Sequence, residues 1–259
     1  MGAVRRGWRL LLPIAALTQV LPAAVLSVFV LAVDPSAGWE AELASDPAVL
    51  PAAFWADISA LLGVLFAGTL VLLLVQCVGW AAGTWVIARQ AAGQPTDLGT
   101  ALGYGLRRAL GLWGWSLVFE LLILVGLCFC FLPGIFAVFA LAMAGPVYLF
   151  ERSDPIGRSY RMMRNRLGLV LGRVALVLLA VIGVSLVASM AESVAILPFG
   201  VAPLDAPGTA VGAVLAIAVT ALLALPAHLA QLVGLVVTYA EQRAHEGPVN
   251  SAQLAAELG

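Results

Sequence analysis

Residues 109–150 read ALGLWGWSLVFELLILVGLCFCFLPGIFAVFALAMAGPVYLF, 42 residues with a single formally charged side chain, Glu120. A bilayer core about 30 Å thick takes about 20 apolar residues of helix, so this run is too long for one crossing and suited to two. Leu132-Pro133-Gly134 divides it, because Pro133 fits the first turn of a new helix, where a missing N–H is tolerated. The stretch predicts two spans back to back, 109–132 and 133–150.

Working outward, four more charge-poor runs of spanning length appear: 10–33, with Pro13 and Pro22 inside it, 58–88, 174–197, and 208–240, with Pro226 as the expected kink. The second is long enough to require tilt or to protrude. Over all 259 residues the chain is 63% hydrophobic and 10% charged. Soluble domains are about 45–50% apolar and about 25% charged, so a soluble core is excluded. The expected fold class is all-α: a single polytopic integral membrane domain of six transmembrane helices, with a tail at 241–259.

Charge orients the bundle. Every one of the thirteen basic residues is arginine, and with the N-terminus inside all thirteen fall on the cytoplasmic side. Arg5, Arg6 and Arg9 precede the first span; Arg89, Arg107 and Arg108 follow the second; Arg152, Arg158, Arg161, Arg164, Arg166 and Arg173 lie between the fourth and fifth; Arg243 follows the sixth. The outer loops hold acids instead, with Asp34, Glu40, Glu42, Asp46 and Asp57 in the first and Asp205 in the third. Short cytoplasmic loops collect Lys and Arg, so this split supports the six-span count and predicts a multi-pass protein of the cell inner or plasma membrane with both termini cytoplasmic. Arg5-Arg6 ahead of an apolar run also resembles a secretory or twin-arginine signal, but the run lacks a clear small-x-small cleavage site and reads as an uncleaved first span.

The even-numbered spans are each followed by a polar turn and an amphipathic segment, which suggests a threefold repeat of hairpin plus interfacial helix. At an offset of 57 residues Thr96 matches Ser153, Asp97 matches Asp154, Arg107 matches Arg164, and Leu110-Gly111-Leu112 matches Leu167-Gly168-Leu169. The Thr or Ser is the expected N-cap, and the neighbouring Asp suits the positive end of the helix dipole. A weaker third copy follows Arg243, with Asn250 or Ser251 as cap. Cytoplasmic interfacial helices are therefore expected at 96–108 and 154–168. On the second, projection at 100° per residue gathers Ile156, Tyr160, Met163 and Leu167 on one side and leaves Arg158, Arg161, Arg164 and Arg166 around the rest.

The segment LPG followed by an apolar stretch and then AGPVYLFERSDPIGRSYRMMRNRLGLVLGR resembles a group of bacterial six-span proteins that includes the membrane domains appended to some glycerophosphodiester phosphodiesterases. The resemblance runs from Thr96 to Val177 and rests on Pro133-Gly134, Pro146-Val147, Glu151, the Arg158-Ser159 pair, Leu167, Gly172 and Arg173. It implies a six-helix membrane protein; it does not imply phosphodiesterase activity, because that chemistry belongs to a separate soluble barrel domain and this chain has no room for one.

Chemistry is sparse. An ionisable group near the bilayer centre costs about 2.5–3.5 kcal/mol on insertion scales and is a functional candidate by default. Glu120 in the third span and His228 in the sixth sit at matched depth, where a pair stabilises the bundle as a hydrogen-bonded uncharged couple, relays a proton or binds a metal. Glu192 lies nearer the outer boundary. Cys77, Cys128 and Cys130 lie in apolar runs and read as small hydrophobes. No zinc motif, phosphate loop or nucleophile turn appears, so no metal, cofactor or nucleic acid is expected. Gly79-x-x-x-Gly83 and Gly208-x-x-x-Gly212 are spacings that permit close helix packing. The leading expectation is a non-catalytic scaffold or accessory protein whose Arg152, Arg158, Arg161, Arg164 and Arg166 contact anionic headgroups or a cytoplasmic protein. A transporter of a small or lipid-like solute using Glu120 and His228 comes second, and an intramembrane enzyme third.

Overall fold

The computed structural model describes residues 2–45, 50–129, 131–200 and 202–259; Asp46 and Cys130 lie outside the described residues. Every regular element among them is helical. Among the described residues, six stretches are long and apolar enough to cross a membrane. The first is α1 (Gly2–Ala15), a π-helical turn (Ala16–Val20) and α2 (Leu21–Ala32). A short α3 (Ser36–Ser45) then leads to α4 (Phe54–Ala91) and α5 (Leu98–Cys128). The fourth stretch is α6 (Leu132–Leu141) with α7 (Ala144–Glu151); α8 (Pro155–Asn165) connects it to α9 (Leu167–Ile196). The last is α10 (Pro207–Leu223) with α11 (Leu225–Glu246), followed by α12 (Ser251–Glu257).

Proline accounts for each interruption, because it lacks the N–H owed to the carbonyl four residues back. Pro22 deprives the Thr18 carbonyl, and the chain passes through the π turn there, with the Thr18 hydroxyl donating to the Ile14 carbonyl at 2.7 Å. Pro146 does the same to Ala142 at the break between α6 and α7, and Pro226 opens α11 just past Ala224. Pro133 occupies the first turn of α6, after Phe131 at φ 62°.

Several boundaries differ from the sequence reading. The helix expected at 96–108 is not separate: it is the first turns of α5, since nothing after Arg108 breaks the hydrogen-bond ladder. The helix expected at 154–168 ends at Asn165, and residues 167–173 belong to α9. The caps are aspartates, not Thr96 or Ser153: the Asp97 carboxylate accepts from the Thr100 amide at 2.8 Å, and Asp154 accepts from Ile156 and Gly157 at 3.1 Å. Asn250 caps α12 through the Gln253 amide at 2.7 Å. α3 has no counterpart in the apolar periodicity; it is tied to the start of α4 by Trp39, whose indole N–H donates to Asp57 at 2.9 Å.

Along α4, α5 and α9, burial is confined to the end of the bundle that carries the arginines. The buried residues of α4 all lie between Cys77 and Ala88, those of α5 between Ala101 and Leu112, and those of α9 are Val170 and Val174. Small residues make this possible, since they let helix backbones approach closely. Ala81, Ala82 and Ala101 are fully buried where α4 meets α5, and a Cβ on Gly105 would lie 2.5 Å from the Val78 carbonyl oxygen. Gly79 admits Thr18 of the π turn in the same way, its would-be Cβ lying 1.9 Å from the hydroxyl.

Candidate functional site

Two features gather the polar side chains: an elbow at the arginine end, and a cavity where close packing stops. The elbow begins with Arg152 in the left-handed conformation at φ 53°, which turns the chain out of α7. Asp154 then caps α8, with Pro155 in its first turn. Ser159, fully buried, projects from α8 into the break between α6 and α7, where its hydroxyl donates to the Ala140 carbonyl at 2.6 Å and accepts from the Met143 amide at 3.2 Å. A broken helix at membrane depth must have its freed backbone groups met by neighbouring side chains. α8 supplies that partner.

This contact sets the face that α8 buries. Pro155, Ser159, Met162 and Met163 point inward, whereas Tyr160 is exposed and Leu167 lies beyond the helix altogether, so the stripe of Ile156, Tyr160, Met163 and Leu167 is rotated from the observed one. Tyr160 instead meets Phe136 of α6 edge to face, with centroids 6.3 Å apart.

Glu151, at the end of α7, is the hub of a charge network. Its carboxylate accepts from Arg158 Nε at 2.9 Å, from Arg243 Nη1 at 3.2 Å and from the Tyr239 hydroxyl at 3.0 Å. Arg158 continues to Glu246, and Arg243 to Glu257 of α12 at 2.8 Å. The chain Glu246–Arg158–Glu151–Arg243–Glu257 thus ties α7, α8, α11 and α12 together. The Glu246 hydrogen bonds raise the Arg158 guanidinium above its ordinary value; partial burial opposes this, and Glu151 adds to the rise. Tyr239 is fully buried and stacks on Phe150 at 5.0 Å. Arg173 pairs separately with Glu241.

The five arginines of the elbow therefore divide. Arg158 is consumed by the network. Arg152, Arg161 and Arg164 are exposed and Arg166 is half-buried, and among the described residues none of these four side chains makes an ion pair or hydrogen bond. Tyr239, Glu246 and Glu257 escaped the sequence reading, which counted arginines and not the acids facing them. The available signal was spacing: Tyr239, Arg243 and Glu246 follow at i, i+4 and i+7 on one helix face.

Glu120 and His228 line one cavity of about 320 Å³, without a hydrogen bond between them. Gln19, Gln76, Ser116 and Gln231 share it. Cys77, Leu112 and Val174, the residues at which burial ends on α4, α5 and α9, line it too, so the cavity begins where the helices part. Glu120 lies two turns past Leu112 and is exposed; His228 sits one turn into α11 after the Ala224 break. The Gln19 amide donates to the Gln76 carbonyl at 3.2 Å, and Cys77 lies 3.7 Å from the Ser116 hydroxyl.

Among the described residues no three His, Cys, Asp or Glu side chains are grouped to hold a metal ion. No family model matches the chain, and no curated protein or solved structure matches it either.

Proposed function

We propose that this chain is a non-catalytic scaffold or accessory protein of the cell membrane, with six spans and both termini cytoplasmic, whose elbow rests on anionic lipid headgroups. The observation that carries this reading is the division of the elbow arginines. One side of α8 is held by Ser159, Met162 and Met163, and Arg158 is locked to Glu151 and Glu246, while Arg161 and Arg164 on the same helix are exposed. A helix so anchored presents its remaining charges at a fixed height, the arrangement that suits an interfacial helix. Each juxtamembrane arginine adds about 1 kcal/mol of attraction to an anionic leaflet, falling away over a Debye length. The repeated aspartate or asparagine caps at Asp97, Asp154 and Asn250 favour the threefold arrangement of hairpin and surface helix, and the resemblance to six-span proteins related to phosphodiesterase membrane domains belongs to the same proposal.

Thermal unfolding of the purified chain in mild detergent tests it. Anionic phospholipid is expected to raise Tm more than the same amount of zwitterionic lipid, and the triple variant Arg161→Glu, Arg164→Glu, Arg166→Glu is expected to lose the difference. Equal effects of the two lipids, or an unchanged response in the triple variant, count against the proposal. Passage of a small solute past Glu120 and His228 is the second reading, favoured by the shared cavity.

A further inference from the structure

We infer that the cavity between α4, α5, α7 and α11 is a binding site for a lipophilic organic cation. The inference goes beyond the scaffold reading and does not depend on the elbow. Its first support is charge. Glu120 is the one formally charged side chain among the lining residues, its carboxylate has no partner among the described residues, and all the arginines lie elsewhere. An anion entering this space would meet a carboxylate; a cation would meet its complement.

The second support is the wall. Phe119, beside Glu120 on α5, and Trp80 on α4 line the same cavity, and aromatic faces attract cations through their ring quadrupole. Gln19, Gln76, Ser116 and Gln231 are neutral, so they orient a polar headgroup without favouring negative charge. The third support is space. About 320 Å³ lies within the range of small-molecule sites, and the apolar remainder, including Leu141, Val177 and Leu178, suits an apolar body. Gly145 of α7 faces this space with nothing within 4 Å of where its Cβ would stand, so a larger side chain there would fill the cavity and leave its charges untouched.

Tetraphenylphosphonium and tetraphenylborate match closely in shape and oppose each other in charge, which makes them the probes. Equilibrium dialysis of radiolabelled tetraphenylphosphonium against the full chain in neutral detergent micelles, corrected for empty micelles, is expected to show saturable binding at one site per chain, with no saturable binding of tetraphenylborate. Glu120→Gln is expected to weaken cation binding at least tenfold, and Gly145→Leu to abolish it, with both variants retaining the wild-type far-ultraviolet circular dichroism spectrum. Arg161→Glu, outside the cavity, is expected to bind as wild type does. Absence of saturable cation binding, equal binding of cation and anion, or full binding by folded Glu120→Gln overturns the inference. None of these outcomes bears on the response to anionic lipid, so the two proposals fail separately.

Discussion

Ser159 is the residue on which the fourth long apolar stretch turns. Replacing it with alanine leaves the Met143 amide buried without an acceptor, and an unsatisfied buried donor costs about 1–3 kcal/mol. Ser159→Ala is therefore expected to lower Tm in detergent, while alanine at the exposed neighbour Ser153 leaves it nearly unchanged; equal Tm values for the two would show that α8 does not repair the break. Glu151 carries more partners. Glu151→Ala removes one partner each from Arg158, Arg243 and the Tyr239 hydroxyl, and because hydrogen bonds to charged groups contribute about 1.5–3 kcal/mol each, a loss of at least about 2 kcal/mol is expected. Since Arg243 also holds Glu257, hydrogen exchange of α12 should accelerate in this variant ahead of global unfolding.

At the scale of elements, helix starts are set by single carboxylates. The Thr100 hydroxyl and amide, with the Gly99 amide, hold the exposed Asp97 carboxyl below its ordinary value of 3.8. A carboxyl depressed in the folded state stabilises it fully above the unfolded value, and that contribution disappears as pH falls through the folded value. Asp97→Ala is accordingly expected to unfold below wild type at neutral pH, with the gap closing as pH drops beneath 3.8; a gap constant across that range would contradict the cap's role. Elements were also where sequence reading met its limits. The six apolar stretches and their proline breaks are written in hydropathy and in a residue that cannot donate, both local properties. The rotation of α8 is not local: it depends on Ser159 finding Ala140 and Met143, a contact that no helical projection contains.

For the whole molecule, the burial of α4, α5 and α9 shares one end with the charge network. The small residues Ala81, Ala82, Ala101 and Gly105 bring α4 and α5 together there, the network around Glu151 closes it, and the helices part beyond Cys77, Leu112 and Val174 to leave the cavity. That Glu120 and His228 share a space was suggested by matched depth along their spans; that they face a cavity without bonding each other depends on where close packing stops, which depth alone does not specify. Likewise the arginine asymmetry was legible from charge counting, but the partition of Arg158 from Arg161 and Arg164 required the positions of Glu151 and Glu246.

The proposed lipid contact of the elbow places the arginine end at the cytoplasmic face, and single-cysteine labelling in intact cells tests this most directly. In a chain whose Cys77, Cys128 and Cys130 are replaced by alanine, cysteine is introduced at Ser153 in the elbow or at Asp205 in the loop between α9 and α10, both exposed. A membrane-impermeant thiol reagent is expected to label Asp205→Cys in intact cells and Ser153→Cys only after the membrane is opened; labelling of Ser153→Cys in intact cells, with Asp205→Cys protected, would contradict the account.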